Sequence, residues 1–112
     1  MEKVKIGNKV FEVAKADNII SRMVGLLGKK SLDSDKALLI TPCTSIHTFF
    51  MRFPITVIFI NETYEITDYA INLKPWDFKF SLFKGSFAVY EIAYKGNEDF
   101  SCKKADVVRF LS

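Results

Sequence analysis

Short apolar runs separated by turn residues are the feature that most constrains the fold of this chain. Runs rich in β-branched and aromatic residues favour extended strands. They occupy residues 3–6, 10–13, 37–40, 44–53, 55–60, 64–71, 87–94 and 107–111. Gly7-Asn8 suits a two-residue hairpin, and Asn61-Glu62-Thr63 suits a longer hairpin loop. The pattern predicts a chain built mostly of antiparallel strands.

One segment near the N-terminus has helical rather than strand spacing. Asp17 is typical of a helix N-cap, apolar residues recur at helical intervals over residues 18–27, and Gly28 is typical of a helix end. We therefore predict an α+β fold, with a mostly antiparallel sheet or barrel-like core and one N-terminal helix. Residues 72–85 are too irregular to assign.

Length and composition restrict the class of protein. The chain has 112 residues, of which 49% are hydrophobic and 26% charged, and this favours one globular domain over residues 1–112. The net charge is +3, and the basic residues are scattered along the chain, which disfavours nucleic-acid binding. We find no signal peptide and no apolar run of about 20 residues, so we expect a cytoplasmic protein without a membrane segment.

The stretch from residue 43 to residue 55 carries the candidate chemistry. It contains Cys43, Ser45 and His47, the only histidine of the chain, close to several phenylalanines. In an extended strand Cys43, Ser45 and His47 would share one face, because side chains alternate between faces. A polar cluster at the end of a buried strand predicts the floor of a ligand pocket.

Catalytic and metal sites have weaker support in the same stretch. Four residues of strand span about 13 Å, so a Cys43–His47 dyad would need a bend. One histidine and two cysteines supply too few zinc ligands, and we expect neither a metal nor a cofactor. Two alternatives stay open: His47 could be a buried imidazole satisfied by a neighbour, and Cys43 an inert small apolar residue. Both cysteines, Cys43 and Cys102, are expected to be free.

Glu91 interrupts an apolar strand. Alternation places it on the same face as Phe87, Val89 and Ala93. A buried carboxylate needs a partner, because an unpaired buried charge is costly. The candidate partners, in a structural clamp or at a pocket wall, are Arg22, Arg52 and His47.

Taken together, these residues resemble a known family. The segment Arg22-Met23-Val24-Gly25-Leu26-Leu27 resembles its helical Arg-x-x-Gly-Leu-Met segment. The run Cys43-x-Ser45-Ile46-His47-Thr48-Phe49-Phe50-Met51-x-Phe53-Pro54-Ile55 resembles its hallmark strand, and Leu73-Lys74-Pro75-Trp76 and the Glu91 strand fall where the family has a Pro-Trp segment and a Leu-Glu strand. The family is domain-of-unknown-function 192, and the resemblance covers residues 11–111. It implies a compact β-rich α+β fold and no particular activity.

The sequence departs from the family pattern at two positions. Thr56 stands where the family often has Asp after Pro-Ile, and Asn61 stands where it often has Asp at the end of the next strand. The first departure removes a carboxylate from the neighbourhood of the motif. Any mechanism that needs that acid is therefore in doubt for this chain.

The leading hypothesis is a non-enzymatic binding module, monomeric or weakly dimeric. It would hold a small polar ligand or a peptide in a conical pocket near the central strand. The predicted ligand-binding residues are Ser45, His47, Arg52, Arg22, Trp76 and Glu91. One alternative is an enzyme that uses His47 with Cys43 or Glu91 as acid, base or nucleophile. A further alternative is a structural or protein-docking domain that presents the aromatic residues of segment 76–83.

Overall fold

The computed structural model describes residues 2–16, 35–48, 51–81, 85–94 and 106–111, and the regular structure in these ranges is entirely β. The strands are β1 (Glu2–Ile6), β2 (Lys9–Ala16), β3 (Lys36–Ile40), β4 (Ser45–His47), β5 (Ile55–Ile60), β6 (Ile66–Leu73), β7 (Phe78–Phe80), β8 (Ala88–Ala93) and β9 (Arg109–Leu111). Within the described ranges there is no helix that could cross a membrane.

Seven of the strands form the main sheet, in the order β6-β5-β8-β3-β2-β1-β9. Neighbouring strands are antiparallel except for β2 and β3, which are parallel. The predicted first hairpin is confirmed, since Ile6 lies opposite Lys9 across a two-residue turn. Gly7 has a φ of 60° in that turn, a conformation that glycine adopts without steric cost.

The centre of the main sheet is buried on both faces. Every residue of β5 and β8 is buried, and alternate residues of the two strands contribute to two apolar clusters. The first cluster includes Val4, Phe11, Leu39, Ile58, Tyr90 and Ile92. The second includes Val57, Phe59 and Val89, and also Ile46, Met51 and Phe53 from outside the main sheet. The second face is therefore covered in part by the segment that carries the candidate site.

The two edges of the main sheet approach each other at one point. Glu65 and Val107, just before β6 and β9, form an isolated antiparallel bridge. The Ile66 N–H donates to the Asp106 carbonyl at 2.8 Å, next to this bridge. Because β6 and β9 are not themselves neighbours in the sheet, it is not closed into a barrel.

The α+β prediction is wrong, and so is its barrel-like variant. No helix occurs in the described residues, and the main sheet is open along most of its edges. The predicted helix over residues 18–27 lies outside the described residues. Strand structure extends further than the sequence indicated: β2 continues to Ala16, β6 continues to Leu73, and the unassigned stretch 72–85 contributes β7.

The extended run predicted over residues 44–53 ends early. Strand β4 covers Ser45–His47, and the Met51 N–H then donates to the Thr48 carbonyl at 3.1 Å, which turns the chain. Phe49 and Phe50 lie outside the described residues. Strand β4 pairs with β7 in a separate antiparallel sheet of two strands, which we call the ribbon.

Candidate functional site

The ribbon brings two distant parts of the sequence into register. Ser45 of β4 lies opposite Phe80 of β7, and His47 lies opposite Phe78. All four side chains point to the same side of the ribbon, because residues two apart in a strand share a face. The register therefore places the two polar residues of the motif directly beside two phenylalanines.

The backbone bonds show how close these pairs are. At one end of the ribbon the Thr48 N–H donates to the Asp77 carbonyl at 2.8 Å, and at the other end the Ser81 N–H donates to the Thr44 carbonyl at 2.9 Å. Bonded and non-bonded pairs alternate in an antiparallel ladder. The two pairs that contain Ser45 and His47 are therefore non-bonded pairs, in which opposite Cα atoms are about 4.5 Å apart and side chains are closest.

The outward side of the ribbon, with the adjoining turn, exposes three large aromatic side chains. Trp76 is 62% exposed, Phe78 is 59% exposed and Phe80 is 48% exposed. The rings of Phe78 and Phe80 lie within 9° of parallel, with centroids 6.2 Å apart. Ser45 and His47 are exposed beside them. We call these five side chains the ribbon face.

The inward side of the ribbon is anchored to the main sheet. Ile46 is 8% exposed and belongs to the second apolar cluster. The Lys79 ammonium forms an ion pair with the largely buried Asp68 carboxylate of β6, at 3.2 Å. The ribbon is thus fixed by one side, while its other side presents aromatic rings to solvent.

Thr48 fixes the turn that carries Trp76. Its side chain is fully buried; the hydroxyl donates to the Lys74 carbonyl and accepts from the Asp77 N–H at 2.9 Å. Its own carbonyl accepts the Trp76 N–H at 3.0 Å. Trp76 has a φ of 65°. This conformation is unfavourable for residues other than glycine and persists only where the surrounding structure holds it. The Thr48 bonds supply that hold and make the turn rigid.

A pocket of about 370 Å³ adjoins the Ser45 end of the ribbon face. Its lining residues are Pro42, Cys43, Thr44, Ser45, Ser86 and Phe87. We call it the Cys43 pocket. The Cys43 thiol donates to the Ser45 carbonyl at 3.0 Å, and Cys43 is a free cysteine, as predicted. Ser45 belongs to both the pocket and the ribbon face, so the two meet at this residue.

Hydroxyl groups line one side of the Cys43 pocket. The Ser86 hydroxyl is 2.5 Å from that of Ser81 and 2.7 Å from that of Thr67. The Cys43 N–H donates to the Phe87 carbonyl at 2.8 Å, which ties the two walls of the pocket together. Within the described lining residues the side chains are uncharged, so the pocket offers hydroxyl, thiol and ring surfaces only.

Glu91 lies in a different environment. It is 5% exposed in the centre of the main sheet, between Leu38 and Val57 of the neighbouring strands. Burial raises the pKa of its carboxyl group to about 8, and no charged neighbour within the described residues offsets this. The structure does not bring Glu91 and His47 together, because His47 points to solvent on the ribbon face.

The structure describes two of the other predicted site residues, His47 and Arg52, but not Arg22. The interpretation of His47 as a buried imidazole is wrong, since its side chain is exposed. Arg52 is exposed in the bend between the buried residues Met51 and Phe53. Arg22 lies outside the described residues, so its predicted pairing with Glu91 stays a prediction.

Phe78 and Phe80 were expected only as aromatic residues of segment 76–83 in the docking alternative, and Ser86 was not predicted to be part of a site. The alternation Phe78-Lys79-Phe80 was the available signal, since a lysine between two phenylalanines indicates a strand with one aromatic face. The direction of that face could not be read locally, because it depends on the pairing of β7 with β4 more than 30 residues earlier.

The family comparison confirms the predicted family. The model of DUF192, described as "uncharacterized ACR", matches residues 2–110. The chain belongs to the DUF192 family. The Ser45, His47 and Thr48 positions of the ribbon thus lie inside the matched domain.

Relatives and solved structures of similar fold carry no assigned activity that applies to this chain. A UPF0127 protein of Pyrococcus furiosus is 39% identical over 73 residues, which cover 61% of this chain and 60% of that protein. A crystal structure of a protein of unknown function from Novosphingobium aromaticivorans matches with a TM-score of 0.80 and 19% identity, over 96% of this chain and 83% of that one. A putative transcription regulator from Sinorhizobium meliloti matches with a TM-score of 0.77 and 17% identity, over 97% of this chain and 92% of that one. At such identities the two structures show the shared fold alone.

Proposed function

We propose that this DUF192 domain is a non-enzymatic binding module, and that the ribbon face holds a small polar ligand with a flat ring. The observation that carries the proposal is the exposure of Phe78 and Phe80 in register with Ser45 and His47, next to the turn that exposes Trp76. Clustered apolar exposure of this kind marks interaction sites, because soluble proteins otherwise bury such side chains.

Rigidity supports the same conclusion. Thr48 fixes the Trp76 turn through three hydrogen bonds, and the Lys79–Asp68 ion pair fixes the back of the ribbon. A ligand that binds a preformed surface loses less affinity to the ordering of side chains. The ribbon face therefore has the properties of a preformed site.

The chemistry of the face indicates what it would hold. Aromatic rings bind flat apolar faces and the positive edges of C–H bonds. The Ser45 hydroxyl and the His47 imidazole add hydrogen-bonding groups beside those rings. A polar molecule with a flat ring satisfies both kinds of contact at once.

The enzyme alternative has less support from the geometry. It needs an acid or base within hydrogen-bond reach of His47. Glu91, the candidate acid, is enclosed between Leu38 and Val57 in the main sheet, whereas His47 faces solvent.

Trp76 is the only tryptophan of the chain, so its fluorescence reports directly on the ribbon face. We would titrate the protein with neutral ring-bearing compounds: nucleosides, monosaccharides, oligosaccharides and aromatic amides. At least one class should change the emission saturably, and Phe78→Ala should weaken that binding about tenfold through loss of the ring contact.

Phe110→Ala is the matched control, because Phe110 is a similarly exposed phenylalanine on β9 of the main sheet. Its removal should leave the affinity unchanged. Binding that is indifferent to Phe78→Ala would contradict the proposal, as would a panel without any saturable response. Saturable binding of short peptides alone would assign the face to peptide docking instead.

A further inference from the structure

The Cys43 pocket and the ribbon face meet at Ser45 and differ in shape. The pocket is a depression of about 370 Å³, and the ribbon face is a platform of aromatic rings. Ser45 belongs to both, and its cross-strand neighbour is Phe80 of the ribbon face. A molecule that fills the pocket can therefore continue over Phe80 towards Phe78.

From this arrangement we infer that the ligand is a neutral oligosaccharide, with one terminal sugar in the Cys43 pocket and the next sugar rings stacked on Phe80 and Phe78. The inference deepens the proposed function and rests on it. It names the class of ligand and assigns the Cys43 pocket a part in binding, whereas the proposed function involves the ribbon face alone.

The lining of the pocket selects for uncharged, hydroxyl-rich ligands. Among the described lining residues the side chains are hydroxyls, a thiol, a proline and a phenylalanine, so a carboxylate or phosphate would lose hydration there without meeting a cation among them. Hydroxyl groups both donate and accept hydrogen bonds. The linked hydroxyls of Thr67, Ser86 and Ser81 can rotate together, so Ser86 can present either a proton or a lone pair to a sugar hydroxyl.

The aromatic rings of the ribbon face suit the apolar C–H face of a sugar ring. A pyranose ring has a face of C–H bonds, and the electron-rich face of an aromatic ring attracts such positive edges. The Phe78 and Phe80 rings are nearly parallel, with centroids 6.2 Å apart, and both are about half exposed along the strand. An extended chain of rings fits this arrangement better than a single compact molecule does.

Two measurements on the unmodified protein test the inference. Linear neutral oligosaccharides of one to four units, from the glucose, mannose and xylose series, would be titrated against Trp76 fluorescence. Iodoacetamide alkylation of Cys43 would be followed by peptide mass spectrometry, with Cys102 as an internal comparison. We expect affinity to rise at least tenfold from one unit to three, and a saturating trisaccharide to slow Cys43 alkylation at least fivefold.

Variants separate the pocket from the platform. Thr44→Val removes one exposed pocket hydroxyl at nearly constant shape and should weaken oligosaccharides several-fold, with little effect on a probe that binds the platform alone. Oligogalacturonides, which carry a carboxylate on each ring, should bind at least tenfold more weakly than the neutral series.

The possible failures are distinguishable. If a nucleoside or aromatic amide binds the platform and Phe78→Ala abolishes it, while no oligosaccharide binds, the proposed function holds and the oligosaccharide inference is overturned. Oligosaccharide binding without length dependence or Cys43 protection overturns the role of the pocket. If neither the oligosaccharides nor any other ring-bearing probe binds, both proposals fail.

Discussion

The ribbon and the centre of the main sheet use the same kinds of residue in opposite ways. In β5 and β8 every side chain is buried, including Phe59 and Tyr90 at 0% exposure. In β7 the two phenylalanines remain about half exposed. Burial of apolar surface stabilises a fold by roughly 25 cal/mol per Å², so the ribbon phenylalanines contribute much less stability than those of the sheet. The proposed contact with a ligand would account for their position.

The largest expected effect separates the two regions directly. Phe59→Ala should lower the free energy of unfolding by about 3–5 kcal/mol, because it leaves a cavity in a fully buried cluster. Phe78→Ala should lower it by less than about 1 kcal/mol, because the side chain is mostly in solvent already. Urea titration followed by circular dichroism measures both. Similar losses for the two variants would mean that the ribbon rings are structural.

The second prediction concerns the charged group inside the main sheet. The carboxyl group of Glu91 has its pKa raised by burial to about 8, from an ordinary value of 4.5. Between these values the folded state binds more protons than the unfolded state, so this group makes stability fall as pH rises. The contribution is complete below about pH 4.5 and is lost as the pH rises through about 8. Its steepest slope is about 1.4 kcal/mol per pH unit.

Glu91→Gln should remove that slope, because the amide stays neutral at every pH. Urea titrations of both proteins from pH 5 to pH 8.5 measure the effect, and the variant should be increasingly more stable than the wild type as pH rises. Equal stability of the two proteins at pH 8 would show that another group in the folded protein stabilises the charged carboxylate of Glu91.

The third prediction tests whether the ribbon face is held rigidly. Thr48→Val should cost about 1–3 kcal/mol, because the Lys74 carbonyl and the Asp77 N–H lose their bonds to the buried hydroxyl. The same change at Thr44, which is exposed, should cost less than about 0.5 kcal/mol. Thr48→Val should also shift the emission of Trp76 in the folded protein. An unshifted spectrum with normal ligand affinity would show that the turn does not depend on Thr48.

The sequence allowed most strands to be located but not the fold class. Strands such as β5 were predictable because their β-branched and apolar runs, with turn residues at their ends, act locally. The α+β class depended on residues 18–27, outside the described residues. Strand β7 was hidden in a stretch that contains Pro75 and has positive φ at Asn72, Trp76 and Gly85. The alternation Phe78-Lys79-Phe80 is a signal of only three residues, too short to assign a strand without its pairing partner.

The candidate site shows the same division between local and distant information. Alternation correctly grouped Ser45 and His47 on one face, and the structure adds Phe80 and Phe78 opposite them. Whether that face points to solvent or to the core depends on which side of β4 packs on the main sheet. Ile46 packs there, in the second apolar cluster, so the face with Ser45 and His47 points to solvent. Such a choice depends on contacts between segments far apart in the sequence, so the sequence alone left both a buried and an exposed His47 open.

The smallest expected effect follows from that exposure. His47→Ala should change the free energy of unfolding by less than about 0.5 kcal/mol, because the side chain is exposed and little surface is lost from the core when it is removed. The same variant should weaken ligand binding to the ribbon face several-fold, because it removes the hydrogen-bonding group beside Phe78. Urea titration and Trp76 fluorescence measure the two effects on one sample. A loss above about 2 kcal/mol would place His47 with the main sheet, as a structural group, and would remove it from the ligand site.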